Sequence, residues 1–298
     1  MQWMVMAEQI RKQNIRLFQN SVKICQNFEN EGFANCILKG QGNALLYPDP
    51  YMRTPGDIDI YLSGGRRKIM KYVDQVCPNQ VMRYHHVDFP VMKTAIEVHF
   101  TPSYMFCPIH NRRMQKWFEE VMGEQCNHRG SLPDGYGEIH VPQVSFNVIY
   151  ILSHLYRHIF TEGIGLRQLL DYYYVLISDD LLLIRDRVQK KLKHLGLWKF
   201  AQAVMFVMKE VFGLSEDRMI APMNEKEGRF LLDEIMRGGN FGQYDDRMGS
   251  KVGESKIHRY FRMNLRNLRF VKHYPTEAVC EPVFRTWFAG WKFINRIK

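Results

Sequence analysis

The sequence predicts an α+β fold: a mixed sheet flanked by helices, followed by a C-terminal helical domain. Short strand-like runs fall between residues 33 and 100, set off by a glycine turn, the Pro and Gly of the loop at 48–56, and Pro90. Helical periodicity then dominates from about residue 143 onward. Between them lies a stretch that ends in Gly and Pro, read as a connection over residues 110–142. The expected organisation is an N-terminal helix over 1–30, an α/β domain with its connector over 31–142, and a helical domain with a basic end over 143–298.

Each element has its own signal. Residues 3–30 carry apolar side chains at Met6, Ile10, Ile15, Phe18, Val22, Ile24 and Cys25, and Glu31-Gly32 stops the helix. FANCILKG (33–40) reads as a strand ending in a glycine turn, and GNALLY (42–47) as a brief helical segment. Pro48, Pro50, Pro55 and Gly56 make the next stretch a loop. DIDIYL (57–62) is the second strand, and a helix follows from Arg66 to Val76. VMRYHHVDF and KTAIEVHF are two further strands, a hairpin around Pro90. SFNVIYILSHLYRHIF, GLRQLLDYYYVLI, DLLLIRDRVQKKLKHLGL and WKFAQAVMFVMKEVFG are the helices of the second part.

The 298 residues carry 46% hydrophobic and 24% charged side chains, a globular composition that excludes a disordered chain. No apolar run approaches the roughly 20 residues of a membrane helix, and the start has no signal-peptide pattern. Six cysteines without a C-x-x-C pair read as reduced thiols, so a cytoplasmic protein without integral membrane association is expected. The net charge is +10, and residues 247–298, with twelve Lys or Arg against three acids, hold +9 of it. In KIHRYFRMNLRNLRF the side chains of Arg259, Arg262, Arg266 and Arg269 share one stripe of a helix. That stripe reads first as a solvated face, and then as a surface for RNA or another polyanion.

The chemistry lies in the strands. Alternate side chains share a face, so Asp57 and Asp59 point together, about 7 Å apart at their Cα atoms, while Ile58 and Ile60 face the core. Two carboxylates so placed repel each other unless a divalent cation lies between them, and Mg²⁺ takes hard oxygen ligands together with substrate phosphates. In TAIEVHF, Glu97 and His99 share a face in the same way. If that strand neighbours the first, Glu97 becomes the third carboxylate of a two-metal site for in-line attack on phosphorus. Gly40 and Gly42 of ILKGQGN let the backbone approach a ligand, and Lys39 and Arg53 offer charge to phosphates. His85, His86 and His99 lie on strands that approach the acids and read as structural hydrogen-bonding side chains. His154 and His158 are spaced i, i+4 on one helix face and read as packing residues.

In order, LKGQGNALLYPDPYMRTPGDIDI, HH, IEVHF, HLYRHIF and GLRQLLDYYYVL resemble the uncharacterised nucleotidyltransferase family of bacterial genomes, a branch of the polymerase-β-like nucleotidyltransferase superfamily. The resemblance spans roughly residues 30–180. It implies a nucleotidyltransferase-type sheet, dependence on Mg²⁺ with two ions expected, and transfer of a nucleoside monophosphate from an NTP, ATP first, to an acceptor hydroxyl. Asp57 and Asp59 match the family's metal-binding pair, Glu97 its third acid, and Gly40 the glycine of its phosphate-binding turn. Lys39, Gly40, Gln41 and Arg53 are thereby expected to hold the triphosphate. The departure is the turn itself, which reads Gly40-Gln41 and stands fifteen residues before Asp57, further than in the wider superfamily. The acceptor, whether small molecule, protein or RNA, is left open. Two other readings stand beside this one: a nucleotide-binding or interaction module that has lost turnover, and a glycosyltransferase using D-x-D.

Overall fold

The fold was read from a computed structural model, which describes residues 2–239, 245 and 255–295. The chain divides into two compact units. Met1–Pro102 and Trp117–Asn147 belong to the first, and Ser103–Lys116 and Val148–Asn295 to the second.

The first unit is built on a four-stranded mixed sheet. Helix α1 (Gln2–Asn30) leads into β1 (Asn35–Ile37), the single turn α2 (Gln41–Ala44), β2 (Ile58–Leu62), α3 (Gly65–Val76), β3 (His86–Asp88) and β4 (Ile96–His99). The strand order is β1-β2-β4-β3. β1 runs antiparallel to β2, β2 parallel to β4, and β3 antiparallel to β4 as the expected hairpin. Period-two alternation then divides the sheet. Ile58, Ile60 and Leu62 of β2, Ile96 and Val98 of β4 and Val87 of β3 join one apolar core with Leu17, Phe18, Ile24 and Phe28 of α1 and Ile69 and Val73 of α3. Each large apolar side chain so buried contributes about 1.5–3 kcal/mol, and this fixes which face the remaining residues take. The opposite face is left to the acids and histidines.

Helix α1 also holds the loop ahead of β2. Asn14 is fully buried, and its side-chain amide donates to the carbonyls of Tyr51 and Arg53, both at 2.7 Å. The loop backbone is thereby satisfied and anchored before it reaches Asp57.

Residues 110–142 are not a simple connection. They contain most of α4 (Pro108–Gln125) and a two-stranded antiparallel ribbon of β5 (Arg129–Ser131) and β6 (Glu138–His140). The helical signal lies in Met114, Trp117, Phe118 and Met122, all buried and falling at i, i+3, i+4 and i+8 on one face. Gly130 lies within β5, and Pro133, Gly135 and Gly137 belong to the ribbon's turn rather than to a linker.

The second unit is helical: α5 (Val144–Thr161, entering it at Val148), α6 (Leu166–Leu176), α7 (Asp180–His194), α8 (Trp198–Phe212), α9 (Glu225–Gly238), α10 (Lys256–Val271) and α11 (Pro275–Ile294). Its core is aromatic, with Tyr156, Phe160, Phe200, Phe270 and Tyr274 in ring contact. Helices α8 and α9 pack closely enough that a Cβ at Gly228 would overlap the Phe206 ring. On α5, Arg157 lies between the two histidines, 3.3 Å from His154 Nδ1 and 3.1 Å from His158 Nε2, with its guanidinium over the Tyr104 ring.

Helix α10 reverses the reading of its arginine stripe. Arg266 is buried, Arg262 and Arg269 are half-buried, and Arg269 pairs with Glu234 at 3.4 Å and Asp245 at 3.5 Å. The apolar residues Phe261, Leu265 and Leu268 instead face out, each more than 60% exposed. Acids on other segments hold Arg269, and with Arg266 buried the stripe is no free cationic face; Arg259 alone of the four is exposed.

None of the described helices is long and apolar enough to cross a membrane. The six cysteines are unpaired, and burial pushes the thiols of Cys25 and Cys126 up to about 12, which keeps them protonated and inert.

Candidate active site

The parallel pairing of β2 with β4 sets Asp59 directly beside Glu97, and Tyr61 beside His99. The antiparallel pairing of β3 with β4 adds Asp88 beside Glu97 and His86 beside His99. Paired residues of adjacent strands project to the same side. Two rows therefore cross the polar face of the sheet, Asp59–Glu97–Asp88 and Tyr61–His99–His86. Asp57 lies just ahead of β2, two residues from Asp59. The three acids expected from the sequence are thus brought together, and the parallel register is what brings Glu97 to them.

Three basic side chains are threaded among the acids. Lys39 Nζ lies 3.0 Å from Asp59 Oδ1. His99 Nε2 lies 3.1 Å from the same oxygen and 3.6 Å from Glu97 Oε2. His86 Nδ1 lies 3.3 Å from Glu97 Oε2. The electrostatics follow from this arrangement. Burial by itself would raise the Asp59 carboxyl, but the Lys39 ammonium and His99 outweigh it and hold Asp59 well below the usual carboxylate range. Glu97 behaves alike: burial raises it, and the bond to His99 together with His86 brings it lower. Burial would lower Lys39 and His99, yet the surrounding carboxylates raise both. Asp57 goes the other way. The Asp59 charge, and then burial, push it up to about 6, with Lys39 only partly offsetting them.

The turn between β1 and α2 is drawn tightly onto this cluster. Gly40 takes φ 60°, a conformation that disfavours a side chain, and a Cβ there would stand 3.2 Å from the Asp57 carbonyl oxygen. Leu38 N–H donates to the Asp59 carbonyl at 2.9 Å, so Lys39 is delivered to Asp59 by backbone pairing. Gln41 is fully buried, and neither atom of its side-chain amide has a hydrogen-bond partner. An orphaned amide beside a glycine turn is the mark of a position where a polar ligand group would be accommodated. Gly42 has a different reason from the one its sequence suggests. A Cβ there would meet the Ile37 carbonyl at 3.1 Å and Val141 at 3.2 Å, so its smallness serves packing against β1 rather than ligand approach. Arg53 is half-buried, and its guanidinium donates to the Thr54 carbonyl at 3.3 Å.

The donor set suits a divalent cation. Asp57, Asp59 and Glu97 supply hard carboxylate oxygens, and the upward displacement of Asp57 reports like-charge crowding that a cation would relieve. Sequence reasoning left His99 with a structural role, although the spacing of Glu97 and His99 already placed both on one face. Its bond to Asp59 required knowledge of which strand lies alongside, and so did the position of Asp88.

The sequence profile of the family described as "uncharacterised nucleotidyltransferase" matches residues 1–213. Among solved structures, an antigenic nucleotidyltransferase-like protein from Paracoccidioides brasiliensis aligns over 72% of this chain and 97% of its own, with 12% identity and a TM-score of 0.39. No curated protein matches.

Proposed function

The chain belongs to the uncharacterised nucleotidyltransferase family, and on that premise we propose a Mg²⁺-dependent enzyme that moves a nucleoside monophosphate from an NTP, ATP first, to an acceptor hydroxyl. The observation that carries this reading is the register that pairs Asp59 with Glu97 beside Asp57. In the reaction the acceptor oxygen bonds to the α-phosphorus, the bond from that phosphorus to the bridging β-oxygen breaks, and pyrophosphate leaves. Asp57, Asp59 and Glu97 are the residues that would hold the cations. When bound, these neutralise the triphosphate and lower the pKa of the attacking hydroxyl.

The chain's own groups do the rest. Glu97, held ionised by His99 and His86, takes the acceptor's proton. Lys39, kept charged by the surrounding carboxylates, holds the cluster together and faces the incoming phosphates. Gly40 and Gln41 form the turn against which the triphosphate rests. Arg53 lies on the loop entering β2 and adds a phosphate contact.

The test is incubation of the full chain with Mg²⁺ and α-phosphate-labelled NTPs, with a cell extract as acceptor source. Pyrophosphate release and label on an acceptor, both abolished by Asp59→Asn, are expected. One observation favours a second reading, a nucleotide-binding module without turnover: Lys39 occupies an Asp59 oxygen at 3.0 Å. Tight nucleotide binding without label from any NTP would select that reading.

A further inference from the structure

Beside the carboxylates lies a cluster of three histidines, and nucleotidyl transfer gives no reason for their contact with one another. His85, His86 and His99 are each at least nine-tenths buried. Their rings are in mutual contact, with centroids 4.4 Å apart for His85–His86, 5.1 Å for His85–His99 and 5.2 Å for His86–His99. One nitrogen from each ring lies within 4.8 Å of the other two. His86 Nδ1 is 3.3 Å from His85 Nε2, and 3.3 Å from Glu97 Oε2, which is itself 3.6 Å from His99 Nε2.

These separations have a chemical meaning. Four donors placed about 2.0–2.1 Å from one ion at tetrahedral angles stand about 3.3–3.4 Å apart. The His85–His86 separation falls at that value, and one nitrogen of His99 lies within 4.8 Å of both. A proton shared between His85 and His86 would satisfy that pair alone, whereas a cation satisfies the three imidazoles together. Imidazole is a borderline donor that suits Zn²⁺ or Co²⁺ and is poorly matched to Mg²⁺. The β3–β4 hairpin builds the set: His86 and His99 are register partners, and the His85 carbonyl accepts from Phe100 N–H at 2.8 Å.

We propose that His85, His86 and His99 form a binding site for one borderline divalent cation of the Zn²⁺ or Co²⁺ type, with water completing its shell, separate in donor chemistry from the carboxylates Asp57, Asp59 and Glu97. The site does not depend on the transferase reading, because it is assayed without nucleotide. Chelator-stripped full-length protein is titrated with Co²⁺ and followed by visible absorption, and with Zn²⁺ by calorimetry. One equivalent is expected, with the strong absorption of a four-coordinate ion, and excess Mg²⁺ should not displace it. His85→Gln and His86→Gln should each weaken binding at least about 10-fold, as loss of a ligand group does. Asp57→Asn should leave the affinity unchanged.

Far-UV circular dichroism of the metal-free variants checks that they fold. If either does not, X-ray absorption on the Zn²⁺-loaded wild-type chain counts the imidazoles directly, and three are expected. The proposal is overturned by one or no imidazole at the ion, by displacement with Mg²⁺, or by affinity that folded His85 and His86 variants leave unmoved.

Discussion

Asp59 in the first unit and Glu277 in the second are both almost sealed from water, at 2% and 1% exposure, yet they are buried in opposite ways. Glu277, on α11, sits at the start of α4. It accepts from the backbone N–H groups of Phe106 at 2.7 Å and Cys107 at 3.1 Å, and stands 3.0 Å from His110 Nδ1. Its charge meets the helix N-terminus, where a carboxylate satisfies otherwise unpaired donors. Asp59 meets cationic side chains instead, and has Asp57 and Glu97 for neighbours. A structural acid is satisfied by the donors around it. A cluster that concentrates carboxylates and leaves Asp57 strained upward has a use for its excess negative charge. The difference separates a cap from a site.

The comparison sharpens most under substitution of Asp59. Asn at that position keeps an oxygen that can accept from Lys39 and His99, so the fold should persist while the metal-binding charge is lost. Labelled-NTP transfer should fall by at least about 10³-fold, or about 4 kcal/mol of barrier, with the melting temperature close to wild type. Transfer within tenfold of wild type would remove Asp59 from the machinery.

Glu277→Ala should do the reverse. Two buried backbone donors lose their partner, at a cost of about 3 kcal/mol of stability, read as a lowered denaturation midpoint. Glu277→Gln, which retains one acceptor, should lose less than half as much. A stability loss from Asp59→Asn that matched the Ala variant would break the distinction between the two acids.

How much of this was legible in the chain differs from element to element. The face shared by Asp57 and Asp59, and that shared by Glu97 and His99, followed from period-two alternation with Ile58, Ile60, Ile96 and Val98, because apolar burial commits the other face. That Glu97 stands beside Asp59 did not follow, since strand order and parallel register depend on contacts distant in sequence. Helix α4 was readable in Met114, Trp117, Phe118 and Met122, but the glycines and proline after it drew the whole stretch into a linker. The stripe on α10 shows the limit of amphipathic reasoning. A helix with one apolar and one cationic side presents two alternatives; Arg266 is buried, and Arg269 pairs with Glu234 and Asp245 on other segments. Gly42 was a glycine with a reason, but its reason is Ile37 and Val141.

The smallest effect is also the finest probe of the crowded carboxylates. Asp57 is held at about 6 in the folded chain against its ordinary 3.8. Between those values the native state keeps a proton that the unfolded chain releases. Stability of the metal-free protein from this group is therefore greatest below the unfolded value, falls as pH rises toward about 6, and is flat beyond. The shift corresponds to a ceiling of about 3 kcal/mol, and water contact reduces it to about 1–2 kcal/mol. A divalent cation must displace that proton, so Mg²⁺-dependent stabilisation should be weak below about pH 6 and grow above it. Asp57→Asn removes the charge that crowds Asp59. The metal-free variant should lose the slope, exceed wild type by about 1–2 kcal/mol at about pH 8, and respond less to Mg²⁺. Denaturant titrations of both chains from about pH 4 to about pH 8, with and without Mg²⁺, make the measurement. Parallel pH profiles for wild type and Asp57→Asn would show that Asp59 exerts no such pressure on its neighbour, and the case for a cation between them would lose its electrostatic support.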